Sequence, residues 1–134
     1  MQREIKFRGQ RIDNKEWVYG LLLTNHLGYY IITEENAHEC RLYRYIEINE
    51  YYRVVRETIG QYTGLKDKNG KEIYEGDILR DGRKREFVVT WNNGIGSWVN
   101  RPLDNSNSYP CFNVGTVKHL EKIGNIYENQ KLLE

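Results

Sequence analysis

The sequence predicts a mainly β protein: an N-terminal β-meander over residues 1–57 packed against a C-terminal SH3-like β-barrel over residues 58–134, sharing strand edges as one cooperative unit. Three observations carry that expectation. Gly, Asn and Asp punctuate the chain about every ten residues, the spacing of turns between short strands. The runs between them are rich in Ile, Val, Tyr, Phe and Trp, which suit a pleated, half-buried surface. The aromatic load is heavy, with 11 Tyr and 3 Trp against a single Met.

In order along the chain, "REIKFRG" (3–9) alternates charged and apolar residues, so one face should be buried and the other wet. Asp13-Asn14-Lys15 then closes a hairpin onto "EWVYGLLL" (16–23), and "NHLG" (25–28) turns the chain into "YYIIT" (29–33). In residues 34–57, "ENAHEC" reads as a loop. Tyr43, Tyr45, Ile46 and Ile48 favour a strand, whereas Tyr51, Tyr52, Val55 and Ile59 also fit a helical face; extended structure is the expectation. Further on, Ile73 to Leu79 leads into the turn Asp81-Gly82, and "REFVVTW" (85–91) is a strong strand. Asn93-Gly94 suits a positive-φ turn before "SWVNR" (97–101). "PLDNSNSYP" (102–110) is a polar loop, "CFNVG" (111–115) a short strand, and "TVKHLEKIGNIYE" (116–128) a bent one. "TIGQYTG" (58–64) and "KIGNIYE" (122–128) echo each other in placing Ile-Gly before an amide residue and a tyrosine, as strands do where they bulge.

Charge and cysteine content narrow the function classes. Twenty Lys and Arg offset nineteen Asp and Glu, for a net charge of +1. A general phosphate binder would carry a clear basic excess. Cys40 and Cys111 are too few and too far apart for a secreted disulfide scaffold; both should be free thiols in a reducing compartment. The longest apolar run, Leu21-Leu22-Leu23, is far short of a membrane span, so no membrane partner is expected.

The stretch "TIGQYTGLKDKNGKEIYEGDIL" (58–79) is the densest in glycine and in alternating charge. Asp67-Lys68-Asn69-Gly70-Lys71 is a turn with a mechanism: Asn and Gly tolerate left-handed φ, and an Asp side chain accepts backbone N–H bonds two residues on. It is not a calcium loop, because the glycine comes two places early. Nor is it a phosphate loop, since no G-x-x-x-x-G-K-[ST] is present. "EGDIL" (75–79) resembles the turn that enters the first strand of an SH3-like barrel, with Gly76 in the turn and Asp77 bonding its amides. Gly60, Tyr62, Gly64, Asp67, Gly70, Gly76, Asp77 and Gly124 are therefore assigned to a structural motif. Asp77→Asn is expected to be mild, since Asn also suits turns.

No catalytic, cofactor-binding or metal-ligating residues are expected. His38-Glu39-Cys40 offers two ligands at i and i+2, but His26, Cys111 and His119 supply no paired spacing to complete a zinc site. Glu72, Glu75 and Asp77 read as a solvated turn rather than an acid–base pair, with lysines and arginines around them. The competing reading is single-stranded nucleic-acid binding through the 80–101 hairpin. There Arg80, Arg83, Lys84 and Arg85 would contact phosphate and Trp98, beside Trp91, would stack on a base. The bland alternative is a solvated hairpin tip with both tryptophans buried.

The run "ETIGQYTGLKDKNGKEIYEGDIL", the opening "REIKFRGQRIDNKEWVYG" and the ending "IGNIYENQKLL" together resemble the YopX family of phage and prophage proteins, in matching order. Gly60, Tyr62, Gly64, Leu65, Asp67, Gly70, Ile73, Gly76, Asp77, Gly124, Asn125 and Tyr127 match its pattern. Arg56 and Gln130 stand where the family commonly has proline. The resemblance implies a mainly β protein of temperate phages or their prophages, placed in the cytoplasm of a bacterial host. It implies no activity and offers no catalytic residues. The expected role is a non-enzymatic protein-binding or regulatory module, whose partner is a host or phage protein or a second copy of the chain.

Overall fold

The computed structural model describes residues 4–33, 51–104, 106 and 111–129. The expected Tyr43–Ile48 strand and the His38-Glu39-Cys40 trio lie outside them. The protein is mainly β, its strands pairing antiparallel in two sheets, and it divides into two compact units, Met1–Gln61 and Tyr62–Glu134. Among the described residues, no helix is long and apolar enough to cross a membrane.

In the first unit, β1 (Phe7–Gln10), β2 (Trp17–Asn25) and β3 (Gly28–Thr33) form the expected meander, and β4 (Tyr52–Val54) pairs on the far side of β3. Side chains fix its turns. Asn14 Oδ1 accepts from the Glu16 amide, and Asn25 Oδ1 accepts from the amides of Leu27 and Gly28. Ile31, Ile32 and Val54 are buried. The expected alternation does not hold: Ile5, ahead of β1, is 56% exposed, while Arg8 is 1% exposed with its guanidinium 4.7 Å from the Trp17 ring centre. A long stem and a planar cation let arginine pack like an aromatic residue there. Gly9 is required by close approach, since a Cβ would sit 2.9 Å from that of Val54. After β4, a 3₁₀ turn (Arg56–Thr58) replaces extended chain. Thr58 locks it, donating to the Val55 carbonyl and accepting from the Gln10 amide.

Strand β5 (Gly60–Lys66) starts in the first unit, where Gly60 and Gln61 pair with β1, and its part from Tyr62 on pairs with β6 (Glu72–Tyr74) in the second; there β7 (Asp77–Arg80), β8 (Glu86–Asn92), β9 (Ser97–Pro102) and β10 (Glu121–Asn125) form a sheet in the order β10-β7-β8-β9. Leu79 and Val89 pack with Ile73, Val117 and Leu120, flanked by Leu65, Trp98 and Phe112. The described pairings form an open ladder; the barrel closure expected from sequence is not among them. "CFNVG" is not a strand. Asn113 Oδ1 accepts from the Thr116 amide at 3.0 Å and caps a single helical turn, α1 (Val114–Val117), which delivers Val117 and Leu120 to the core. The expected bend in the last strand is a register shift between Lys122 and Gly124.

One turn is built twice. In the loops 67–71 and 81–85, the first residue is Asp. Its carbonyl accepts from residue i+3, its amide donates to the carbonyl of i+4, and its Oδ1 accepts from the amides of i+2 and i+4. This is a three-residue hairpin loop with a left-handed residue in fourth place. Gly70 fills that place in the first loop at φ +78°, but Lys84 fills it in the second at φ +66°. A side chain in that region costs about 1–2 kcal/mol. Lys84→Gly is therefore expected to stabilise the protein by about 1 kcal/mol, after allowance for the greater freedom of glycine in the unfolded chain. Urea unfolding checks it: a midpoint unchanged or lowered contradicts the strain.

Candidate binding surface and the acidic turns

The motif residues of 58–79 converge on a lysine that sequence reasoning missed. Asp67 is 5% exposed. Its Oδ1 accepts from the amides of Asn69 (2.8 Å) and Lys71 (2.9 Å), and its Oδ2 from the amide of Lys122 (2.8 Å). Asp77 is fully buried; its Oδ2 accepts from the Tyr74 amide at 2.7 Å and lies 3.1 Å from Lys122 Nζ. The same ammonium donates to the Glu72 carbonyl at 3.2 Å. Lys122 thus ties β10 to the turns on either side of β6. Nothing in the sequence signals this, because a lysine in a strand reads as solvated and its partner Asp67 stands 55 positions away.

The glycines serve the same junction. Gly76 adopts φ +91° with the Tyr127 ring against it, its amide donating to the Val89 carbonyl and its carbonyl accepting from Ile126. Gly124 leaves room for Asn129, whose Oδ1 accepts from the Asn125 amide, while Asn125 Oδ1 accepts from Tyr127 and Glu128. Gly64 is also left-handed, at φ +90°, in the irregular part of the β5–β6 pairing, and the Tyr62 and Tyr74 rings pack 5.4 Å apart. Gly60 is buried where β5 pairs with Arg8.

Burial pushes the Asp67 carboxyl up, but the amides of Lys122, Lys71 and Asn69 outweigh it and hold it below the usual carboxylate value. Asp81 shows the same balance: burial raises it, and the Arg85 amide and guanidinium with the Arg83 amide bring it lower.

The basic residues and the tryptophans lie at opposite ends of β8. At the β7–β8 end, Arg80 lies 3.5 Å from Glu86, and Arg85 Nε donates to Asp81 Oδ2 at 2.8 Å. Arg83 and Lys84 are exposed. At the β8–β9 end, Trp91 pairs with Trp98 in register, ring centres 5.0 Å apart and nearly perpendicular. From Glu86 to Trp91 the strand extends roughly 17 Å. Trp98 is half-buried against the core, but Trp91 is 45% exposed, contrary to the expectation of two buried rings. It shares a face with Val89 and lies two residue pairs beyond it along the β8–β9 ladder. Ile95, 67% exposed, stands at the turn itself. No Asp, Glu, Lys or Arg occurs from Thr90 to Asn100, in a chain that is 29% charged. Cys111 is an exposed free thiol, His26 and His119 are exposed, and no metal-ligating cluster occurs among the described residues.

The model of the YopX protein family matches residues 6–134. Among solved structures, the crystal structure of protein EF1440 from Enterococcus faecalis is similar, with a TM-score of 0.61 and 23% identity over 99% of this chain and 100% of that one. That likeness concerns the fold. No curated protein matches the chain.

Two outcomes follow from the acidic turns. A carboxyl held below its unfolded value stabilises the fold fully above that value and loses the contribution as pH falls through the folded one. Stability should therefore drop below about pH 4, and Asp67→Asn should flatten that slope while lowering stability at neutral pH by about 2 kcal/mol, by turning an amide donor toward amide donors. Denaturant titrations across acid pH measure both; an unchanged slope contradicts the assignment. Asp77→Asn, expected from sequence to be mild, should instead cost about 2–3 kcal/mol, because it strips Lys122 of its buried counter-charge. A double-mutant cycle with Lys122→Met should show coupling above about 0.5 kcal/mol; additive losses would place the cost elsewhere.

Proposed function

The chain belongs to the YopX family, and we propose that it is a non-enzymatic binding module that engages a protein partner through the β8–β9 end. The observation that carries this reading is the exposed Trp91, braced edge-on by Trp98, with exposed Ile95 in the turn of the same hairpin, on an uncharged stretch. Tryptophan supplies large contact area at low entropic cost, and interface centres are depleted of charge. Asn, Gly and Ser around it provide adaptable hydrogen bonding. The host or phage origin of the partner and a bacterial cytoplasmic setting belong to this proposal and rest on the family resemblance, with self-association as the alternative to a foreign partner. An SH3-like closure of the second unit belongs to it too, and the turn at Gly76-Asp77 followed by the β7–β8–β9 meander supports it.

Single-stranded nucleic acid is the second reading. The separation of Arg80, Arg83, Lys84 and Arg85 from Trp98 weakens it, because phosphate contact and base stacking would have to act at opposite ends of β8. Arg80 and Arg85 also already face carboxylates.

The test is capture from extracts of phage-carrying host cells. Wild type is expected to retain a protein that a Trp91→Ser, Ile95→Ser variant of unchanged fold loses by at least about tenfold, the scale of a hot-spot residue. Equal capture by both contradicts the proposed surface. Anisotropy with labelled single-stranded DNA and RNA at low salt separates the second reading. Micromolar binding that falls steeply with salt, and that Arg83→Ala, Lys84→Ala and Arg85→Ala together abolish, would replace the first.

A further inference from the structure

We propose that Asn93 is a site of spontaneous covalent modification, converting to aspartate and isoaspartate through a succinimide with Gly94. The step needs only water. The Gly94 nitrogen attacks Asn93 Cγ as its N–H bond breaks. The Cγ–Nδ2 bond then breaks, and the side-chain nitrogen takes up a proton and leaves as ammonia, closing a five-membered ring. Water opens that ring at either carbonyl, giving aspartate from one and isoaspartate from the other. Glycine permits the reaction because it has no Cβ to obstruct the ring and its backbone turns freely.

Two Asn-Gly pairs in the chain have this form, a third pair, Asp81-Gly82, reaches the same ring by losing water in place of ammonia, and the fold treats the three differently. At Asn69-Gly70, the Gly70 amide donates to the Asp67 carbonyl at 3.0 Å and the Asn69 amide to Asp67 Oδ1, within a turn whose Asp67 is bonded to Lys122 of β10. At Asp81-Gly82, both Asp81 oxygens accept from Arg83 and Arg85. At Asn93-Gly94, the Gly94 amide donates to the side chain of Asn92 at 2.8 Å. Asn92, Asn93 and Gly94 are all exposed. A hydrogen bond to an exposed side-chain oxygen exchanges with water more readily than one to the backbone of an anchored turn. Asn93 is therefore the pair the fold leaves reactive.

Conversion places a negative charge in an uncharged stretch, and the isoaspartate form adds a backbone atom to the turn that sets Trp91 opposite Trp98. A consequence for partner binding rests on the function proposed above; the modification itself does not.

The experiment ages the intact folded protein at mildly alkaline pH and follows each site by peptide mass mapping and enzymatic isoaspartate detection. The near-ultraviolet circular dichroism of the tryptophan pair is recorded in parallel. Asn93 is expected to convert roughly tenfold faster than Asn69, the ratio that about one hydrogen bond's difference in local opening gives, whereas in urea the two convert alike. The aromatic signal should decline with Asn93 conversion and hold constant in aged Asn93→Gln. The proposal is overturned if Asn93 stays intact while the urea-unfolded chain converts, or if Asn69 keeps pace in the folded protein. An aromatic signal that survives complete conversion overturns the effect on the tryptophan pair.

Discussion

Lys122 holds the second unit together through two carboxylates that have little water to turn to. Its backbone amide completes the set on Asp67, and its ammonium faces the fully buried Asp77. Burying such charges is costly unless every oxygen and proton finds a partner. Here the partners are mostly backbone amides of tight turns, which are in place once the chain folds and lose little side-chain entropy. The turns orient the carboxylates, and the carboxylates hold the turns. Strands β6, β7 and β10 then have little freedom in register, because a shift of one residue would take Lys122 out of reach of both acids.

The junction leaves other surfaces less constrained. The hairpin ends on either side of β8 are ordered by single side chains, Asp81 at one and Asn92 at the other. Asp81 repeats the construction of Asp67 without the tie to β10, so the second copy of the turn is exposed and carries a lysine where the first has glycine. At the other end, the core stops at Val89 on β8 and at Trp98 on β9, and Trp91, opposite Trp98, is left uncovered.

Much of the architecture was legible in local sequence. Asn25 and Gly28, Asp67 and Gly70, and Asn92 all announce turns by chemistry that acts within four residues. The meander and the strand at 86–92 follow from β-branched and aromatic runs. What escaped depends on distance. The role of Lys122 is set by Asp67, 55 positions away, while alternation assigned Arg8, and a place at the end of an apolar strand assigned Trp91, to the wrong environments. The α1 turn escaped for a different reason: Asn113 capping Thr116 is a local signal, but Phe112 and Val114 beside it read equally well as strand. The candidate surface was half legible. The residues were visible as a hairpin, but their division between two ends of β8 needed the register.

The bond from Lys122 to Asp67 joins positions 55 apart. Closing so long a span yields nothing until most of the intervening chain is already arranged, since loop entropy is lost before the contact is gained. It therefore belongs among the last interactions to form and, on the reverse path, among the first to be broken. Its energy bears mainly on how long the native state survives once formed, and little on how quickly it is reached. A bond of this kind adds to the lifetime of the fold, with β10 serving as the latch.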